Sequence, residues 1–194
     1  AQFSASLGLL FSSTSIAYYN SVTDLFSTTS ANYFVSSSTT IPKTYTNNIF
    51  TGGNLFLSST TIGNGSQIRD HGVQIGGSNA IRSTGSGNIT VTGTVTNNDN
   101  GFSQGVAVNT GGLSTNSGNI KVDATALQNY QVAAYINAPI SSTSGNVYIR
   151  SASANIQNTA TGTISGNNVS IDNTGGTIDA NGVITKGAGG ASTW

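Results

Sequence analysis

Apolar and polar residues alternate in several short runs of the second two-thirds of the chain, each just after a corner rich in glycine and asparagine. The apolar members of four such runs are Ile89 and Val91, Ile120 and Val122, Val147 and Ile149, and Val169 and Ile171. Alternation with a period of two and one apolar face is typical of a strand that is buried on one side. The pattern therefore predicts a series of half-buried strands that begin at similar corners.

The corners recur along the chain. A glycine precedes an asparagine at each of them, and the asparagines, at intervals of 34, 31, 27 and 21 residues, are Asn54, Asn88, Asn119, Asn146 and Asn167. Glycine and asparagine adopt the positive φ angles of sharp turns more readily than other residues. We therefore expect each pair to turn the chain from one strand into the next.

The alternating runs belong to a larger repeat. Residues 105–126 align with residues 132–153 at a shift of 27, which places Leu113 on Ile140 and repeats the corner in phase. A single unit cannot bury its apolar face, whereas units stacked at the ~4.8 Å spacing of neighbouring strands can. The sequence thus predicts an all-β fold, a parallel β-solenoid (β-helix) of about five irregular rungs with a non-repeating aromatic N-terminal segment.

A β-sandwich is the alternative architecture, because short strands with regular turns also describe a sandwich. The recurrence of a whole unit in phase favours the solenoid. Helices are not expected, since the chain is rich in Gly, Asn, Ser and Thr and poor in helix formers.

The first 50 residues do not follow the repeat and hold most of the aromatic side chains. We expect three parts, an N-terminal capping or subunit-joining segment, the β-solenoid and a C-terminal tail, at residues 1–50, 51–187 and 188–194. Two interpretations of the first part stay open. It covers the first rung of its own chain, or it adds a strand to an open edge of a neighbouring subunit.

Both ends of a solenoid expose unpaired strand edges and apolar core. Protected edges usually carry Lys, Glu or Pro, and this chain has no Glu and two Pro. Unprotected ends that stack head to tail give an open filament. We therefore predict that apolar residues near the termini join subunits, namely Leu7, Leu9, Phe11 and the only tryptophan, Trp194.

Counting from the corners predicts which outward side chains share a column. Asp123, Arg150 and Asp172 fall at one outward position on successive rungs and form a surface ladder of alternating charge. Opposite charges on neighbouring strands contribute about 0.2–1 kcal/mol each. We expect this ladder to help hold the stacking register.

The composition excludes several functions. Charged residues are 6% of the chain and the formal net charge is zero, so neither nucleic acid nor an anionic membrane is an expected partner. Cysteine is absent, histidine occurs once and the aspartates are scattered singly. We therefore expect no catalytic site, no metal and no cofactor, and do not expect an enzyme.

Low charge, the absence of thiols and the abundance of hydroxyl and amide side chains indicate an extracellular or cell-surface location. No run of about 18 apolar residues occurs, so a membrane-spanning helix is not expected. The sequence starts at Ala1 without methionine, which suggests a processed or excised chain. Asn64, in Asn64-Gly65-Ser66, is a candidate glycosylation site.

The units also share a sequence motif. It reads S-G-N-I-x-V-x-(A/G)-T at residues 86–94 and 117–125, and G-V-x-V occurs at residues 105–108. This pattern resembles the β-helix repeats of filamentous-haemagglutinin-type surface proteins of bacteria, over roughly residues 52–187. The resemblance implies a secreted or surface-attached fibre used in adhesion, biofilm formation or self-association. We therefore expect a secreted cell-surface structural protein, a self-assembling filament or adhesin subunit, whose partners are copies of itself.

The alternative function is that of a glycan-binding or glycan-cleaving β-helix protein, with cell-surface glycans as partners. Tyr130, Tyr135 and Tyr148 are the aromatic side chains that would form a sugar-stacking platform, but they do not share one column. Tyr135 has the same parity as Ala133 and is expected to point outward. The sequence therefore favours the filament subunit over this alternative.

Overall fold

A computed structural model describes residues 53–61, 71–76, 81–96, 103–127 and 132–193 with their side chains, and the backbone of six strands between residues 9 and 51. The described residues form strands and turns, with no helix among them. In chain order the strands are β1 (Leu9–Leu10), β2 (Tyr18–Asn20), β3 (Leu25–Thr28), β4 (Tyr33–Thr39), β5 (Lys43–Tyr45), β6 (Ile49–Thr51), β7 (Leu55–Thr61), β8 (His71–Ile75), β9 (Ile81–Ser83), β10 (Ile89–Val95), β11 (Gln104–Val108), β12 (Leu113–Thr115), β13 (Ile120–Ala126), β14 (Val132–Ile136), β15 (Ile140–Ser142), β16 (Val147–Ser151), β17 (Asn155–Asn158), β18 (Ile164–Gly166), β19 (Val169–Asn173), β20 (Ile178–Ala180), β21 (Ile184–Lys186) and β22 (Ser192–Thr193).

The strands make three sheets. In spatial order, sheet A contains β1, β4, β7, β10, β13, β16, β19 and β22; sheet B contains β2, β3, β6, β9, β12, β15, β18 and β21; and sheet C contains β5, β8, β11, β14, β17 and β20. From β4 onward the chain visits sheets A, C and B in turn and then returns to sheet A, so one coil adds one strand to every sheet.

Strands of successive coils pair in parallel. This confirms the predicted parallel β-solenoid, with five complete coils from β7 to β21. A β-sandwich is wrong for this chain, because it has two sheets of mostly antiparallel strands.

The interior is a set of stacked apolar columns. Ile89, Ile120, Val147 and Val169 are successive register partners in sheet A, and each is at most 1% exposed. Exposure alternates along β7 and β10, because only one face of each strand points inward. The predicted interior column is therefore confirmed.

The parallel stack begins before residue 51. β4, β5 and β6 pair in parallel with β7, β8 and β9, with Tyr33 opposite Leu55. The expected boundary between residues 50 and 51 thus cuts through β6. The repeat was not visible there because Ala31-Asn32 precedes Tyr33 in the sequence, where Gly53-Asn54 precedes Leu55.

Two short strands reverse direction at the N-terminal end. β1 pairs antiparallel with β4, with Leu9 opposite Val35, and β2 pairs antiparallel with β3. At the other end β22, which lies in the expected tail of residues 188–194, pairs in parallel with β19. Sheet A therefore extends beyond the predicted solenoid at both of its ends.

Candidate functional site

Asparagine side chains form a hydrogen-bonded ladder along the corner between sheets B and A. The backbone N–H groups of Asn88, Asn119 and Asn146 each donate to the side-chain Oδ1 of the preceding corner asparagine, at 2.8, 2.7 and 2.9 Å. Asn146 accepts from the N–H of Asn168 at 3.1 Å, and Asn168 from that of Ala191 at 2.8 Å. Every rung thus fixes the start of the next strand of sheet A.

The glycines of these corners are needed for close packing of the backbone. A Cβ atom on Gly118 would lie 2.0 Å from the carbonyl oxygen of Gly87, and a Cβ on Gly145 would lie 2.0 Å from that of Gly118. Positive φ angles occur at Gly112 and Gly189, not at these corner glycines. The expectation of positive-φ glycine corners is therefore wrong, because the requirement there is space rather than conformation.

Buried hydroxyl groups complete the corner. Thr115 Oγ1 donates to the carbonyl oxygen of Gly87 at 3.0 Å, and Ser142 Oγ donates to that of Gly118 at 2.7 Å. Each hydroxyl also accepts a backbone N–H, from Gly118 and Gly145 respectively. Because both polar groups are satisfied, the hydroxyls lie next to the apolar core without an unpaired buried donor.

The last corner lies one residue later than the sequence spacing predicts. Sequence spacing places Asn167 in the ladder, but Asn168 occupies that position, 22 residues after Asn146. Gly166 is the last residue of β18 and pairs with Lys186. It therefore belongs to the strand, and the corner starts one residue later.

The predicted charge ladder lies on the outer face of sheet A. Arg150 is the register partner of Asp123 on one side and of Asp172 on the other. Arg150 Nε lies 3.6 Å from Asp172 Oδ2, while Asp123 Oδ2 lies 2.7 Å from Lys121 Nζ of its own strand. The three residues thus share one outward column, as predicted. Arg150 pairs with Asp172, whereas Asp123 pairs with Lys121 of its own strand β13.

The outer face of sheet C carries a cleft of about 460 Å³. It crosses the strands β8, β11, β14 and β17, whose side chains Gln74, Gln104, Tyr135 and Gln157 line it together with Asn109 and Asn137 beyond the strand ends. None of the described residues that line this cleft is Asp, Glu, Lys or Arg. The described lining also includes His71, Thr110 and Val132. It is therefore a mixed surface of amide, hydroxyl, imidazole and apolar groups.

One wall of the cleft is fixed by hydrogen bonds. The hydroxyl groups of Thr159 and Thr161 donate to Asn137 Oδ1 at 2.6 and 2.7 Å. Asn137 Nδ2 donates to the carbonyl oxygen of Asn109 at 3.2 Å. The Asn137 amide is held in one orientation before any ligand binds.

Tyr135 lies in this cleft and is half-buried, whereas Tyr148 lies on sheet A and is 40% exposed. Ala133 is fully buried in the core, although it has the same parity as Tyr135. A register shift between Val132 and Ala134 in the pairing of β14 with β17 breaks the period of two. Tyr135 thus points outward as expected, but not for the expected reason.

The other predicted site residues are not among the described residues that line this cleft. Leu9 lies on β1, of which only the backbone is described. The remaining ones lie outside the described residues: Leu7, Phe11, Asn64, Tyr130 and Trp194. The cleft amides were missed because outward positions of short strands carry no periodic signal.

Within the described ranges, no three His, Cys, Asp or Glu side chains lie together in a group that would hold a metal ion. The same residues contain no helix of the length and apolarity that crossing a membrane requires. Comparison of the chain with protein-family models, curated proteins and solved structures finds no match.

Proposed function

We propose that this protein is a secreted cell-surface structural subunit that assembles head to tail into filaments. The observation that carries the proposal is the pair of strand edges at the two ends of each sheet. Among the described strands, the edges are β1 and β22 in sheet A, β2 and β21 in sheet B, and β5 and β20 in sheet C. An edge strand presents N–H and C=O groups that pair with a strand of another chain.

The edge at the C-terminal end has few features that prevent such pairing. Protein edges are usually blocked by charged side chains or proline. β20 and β21 each have one charged residue, Asp179 and Lys186, and β22 has none. None of the three contains proline, so their backbone is available to a further strand.

Apolar side chains of the last coil favour the same interpretation. Ile178 and Ile184 continue the interior columns of Ile156 and Ile164, which are fully buried. The two later isoleucines are only partly buried. A further coil stacked on this end would bury them, and burial of apolar area is the main favourable term in association.

The proposed joint places the C-terminal end of one copy on the N-terminal end of the next. β22 and β21 of one copy pair with β1 and β2 of the next copy. Sheets A and B each have eight described strands and sheet C has six, so this stacking leaves room for two further strands between β20 and β5. The two surfaces differ, so the contact is heterologous and extends into an open filament. Leu9 lies on the edge strand β1, and Trp194 directly follows β22, which supports both as joint residues.

The two interpretations of the N-terminal segment then become compatible. β1 pairs with β4 of its own chain, as a cap does. No described strand pairs with its other side, which the proposal assigns to the neighbour. Secretion and surface contact rest on the composition, which is low in charge and free of thiols, and on the resemblance of the repeat.

Negative-stain microscopy of the purified 194-residue chain tests the proposal. We expect unbranched fibres whose mean length rises with protein concentration. Light scattering on the same samples measures the assembly in solution. Monodisperse particles at every concentration, with an intact β circular dichroism spectrum, would contradict the proposal.

A further inference from the structure

We infer that the cleft on the outer face of sheet C binds a neutral oligosaccharide. This inference does not depend on filament formation, because the cleft lies on the side of the solenoid and not at its ends. The size of the cleft suits such a ligand. It crosses four neighbouring strands, about 14 Å at their usual spacing, and its volume of about 460 Å³ lies in the range typical of small-molecule sites.

Most of the hydrogen-bonding side chains in the cleft are amides, beside the imidazole of His71 and the hydroxyl groups of Thr110 and Tyr135. Gln74, Gln104, Asn109, Asn137 and Gln157 bring side-chain amides to it from four successive coils. An amide both donates and accepts, as a sugar hydroxyl does. Paired amide and hydroxyl groups therefore satisfy each other without any charge.

Gln104 is the most informative of these residues. The residue is only 8% exposed, yet it lines the cleft. Its side-chain amide is not one of the enclosed polar atoms that lack a partner, so we take it to be open to the cleft. A hydroxyl-rich ligand can both donate to this amide and accept from it.

Tyr135 supplies an apolar surface beside the amides. It is the register partner of Ala107 and Gln157, so it stands on the outer face of sheet C between a short and a polar side chain. Its ring is half-buried and lines the cleft. One aromatic surface next to several amides matches a sugar ring, which has an apolar face and a polar rim.

The charged side chains of a binding site determine whether it favours acidic, cationic or neutral sugars. An acidic oligosaccharide would need Lys or Arg, and a cationic one would need Asp or Glu. The described residues that line the cleft include none of these four types, and His71 is the one histidine among them. The nearest carboxylate that contacts the lining is Asp179, whose Oδ2 accepts from Gln157 Nε2 at 3.5 Å. The ligand is therefore a neutral glycan rather than a uronic acid or sialylated chain.

The test is binding of the full chain to neutral trisaccharides of glucose, mannose and galactose, with trisaccharides of the matching uronic acids as a charge control. Isothermal titration calorimetry is carried out at sugar concentrations up to about 10 mM, near which weak sites saturate. We expect at least one neutral trisaccharide to bind, and to bind at least ten-fold more tightly than its acidic counterpart.

Two variants and one control locate the site. Tyr135→Ala removes the stacking surface, and Gln104→Leu removes one cleft amide at similar volume; each should weaken binding about ten-fold or more. Tyr148→Ala, on sheet A, should leave binding unchanged. Circular dichroism and thermal unfolding confirm that all three variants are folded.

Three outcomes would overturn the inference. They are no binding of any neutral trisaccharide, equal affinity for acidic ones, or an equal loss in Tyr148→Ala and Tyr135→Ala. Fibres are scored separately by microscopy on the same variants. Loss of sugar binding with normal fibres, or the reverse, therefore separates this inference from the proposed function.

Discussion

The side-chain Oδ1 of Asn119 accepts the backbone N–H of Asn146 at 2.9 Å, so the corner of one coil fixes the corner of the next. The same bond joins Asn88 to Asn119 and Asn54 to Asn88. Because these bonds connect residues 27 to 34 positions apart, they set the register between coils directly. The ladder thus contributes to the specificity of stacking as well as to its stability.

Replacement of Asn119 tests the ladder. Asn119→Ala leaves the N–H of Asn146 without its acceptor, and we expect a loss of about 1 kcal/mol in the free energy of unfolding. Urea denaturation followed by circular dichroism measures it. Asn119→Asp keeps an acceptor oxygen at the same place and, since the position is exposed, should retain most of the stability at neutral pH. Equal losses in both variants would show that the acceptor is not important.

Replacement of Gly118 tests the close approach of successive corners. The added Cβ of Gly118→Ala would lie 2.0 Å from a backbone oxygen, which cannot move away without displacing a coil. We expect a loss of about 3 kcal/mol in unfolding free energy, or failure to fold.

Gly189→Ala is the matched control for this substitution. Gly189 has φ +82 but no atom within 4 Å of an added Cβ. Only the left-handed conformation is unfavourable there, and the expected cost is about 1–2 kcal/mol. A Gly118→Ala protein as stable as Gly189→Ala would contradict the steric explanation of the corner glycines.

Reversal of the central charge tests the ladder on sheet A. Arg150→Asp would place three carboxylates on successive strands at residues 123, 150 and 172. We expect it to be about 1 kcal/mol less stable than Arg150→Ser, which removes the charge without reversing it. The difference should shrink at high salt, because these side chains are exposed to solvent. A difference that does not respond to salt would argue against a charge effect.

The interior columns and the charge column could be predicted, because the position of each residue follows from the number of residues that separate it from its corner asparagine. Ile120 and Val147, or Asp123 and Arg150, stay in phase as long as each strand starts at an equivalent asparagine. The count failed by one residue at Asn168, where Gly166 ends a strand of sheet B instead of starting the corner.

The cleft was not predictable for a related reason. The outward column of sheet C reads Gln74, Ala107, Tyr135 and Gln157, four positions with no common residue type. The register shift at β14 also breaks the alternation on which a face assignment depends. Columns buried in the core repeat because packing restricts them, whereas outer columns are free to vary.

Proline at the edge of sheet B tests the C-terminal side of the proposed joint. Directly after β21, the N–H of Gly187 donates to the carbonyl oxygen of Gly166 at 2.9 Å. The N–H of the preceding residue, Lys186, therefore points to the open side of the parallel strand. Lys186→Pro removes that open donor and leaves the bonds to β18 in place. We expect much shorter fibres or none in negative-stain images. Lys186→Ala, which loses the charge but keeps the N–H, should assemble at least as well as the parent chain.

Deletion of residues 1–15 tests the N-terminal side. It removes β1, the edge of sheet A to which the proposal joins β22 of the next copy. The stacked coils from β4 onward keep their own pairing partners, so the β circular dichroism spectrum should persist while fibres disappear. If the truncated chain still forms fibres as Lys186→Ala does, β1 is not part of the joint. If fibres are lost together with the β spectrum, the segment acts as a cap that the fold requires, and the joint must be sought on another edge.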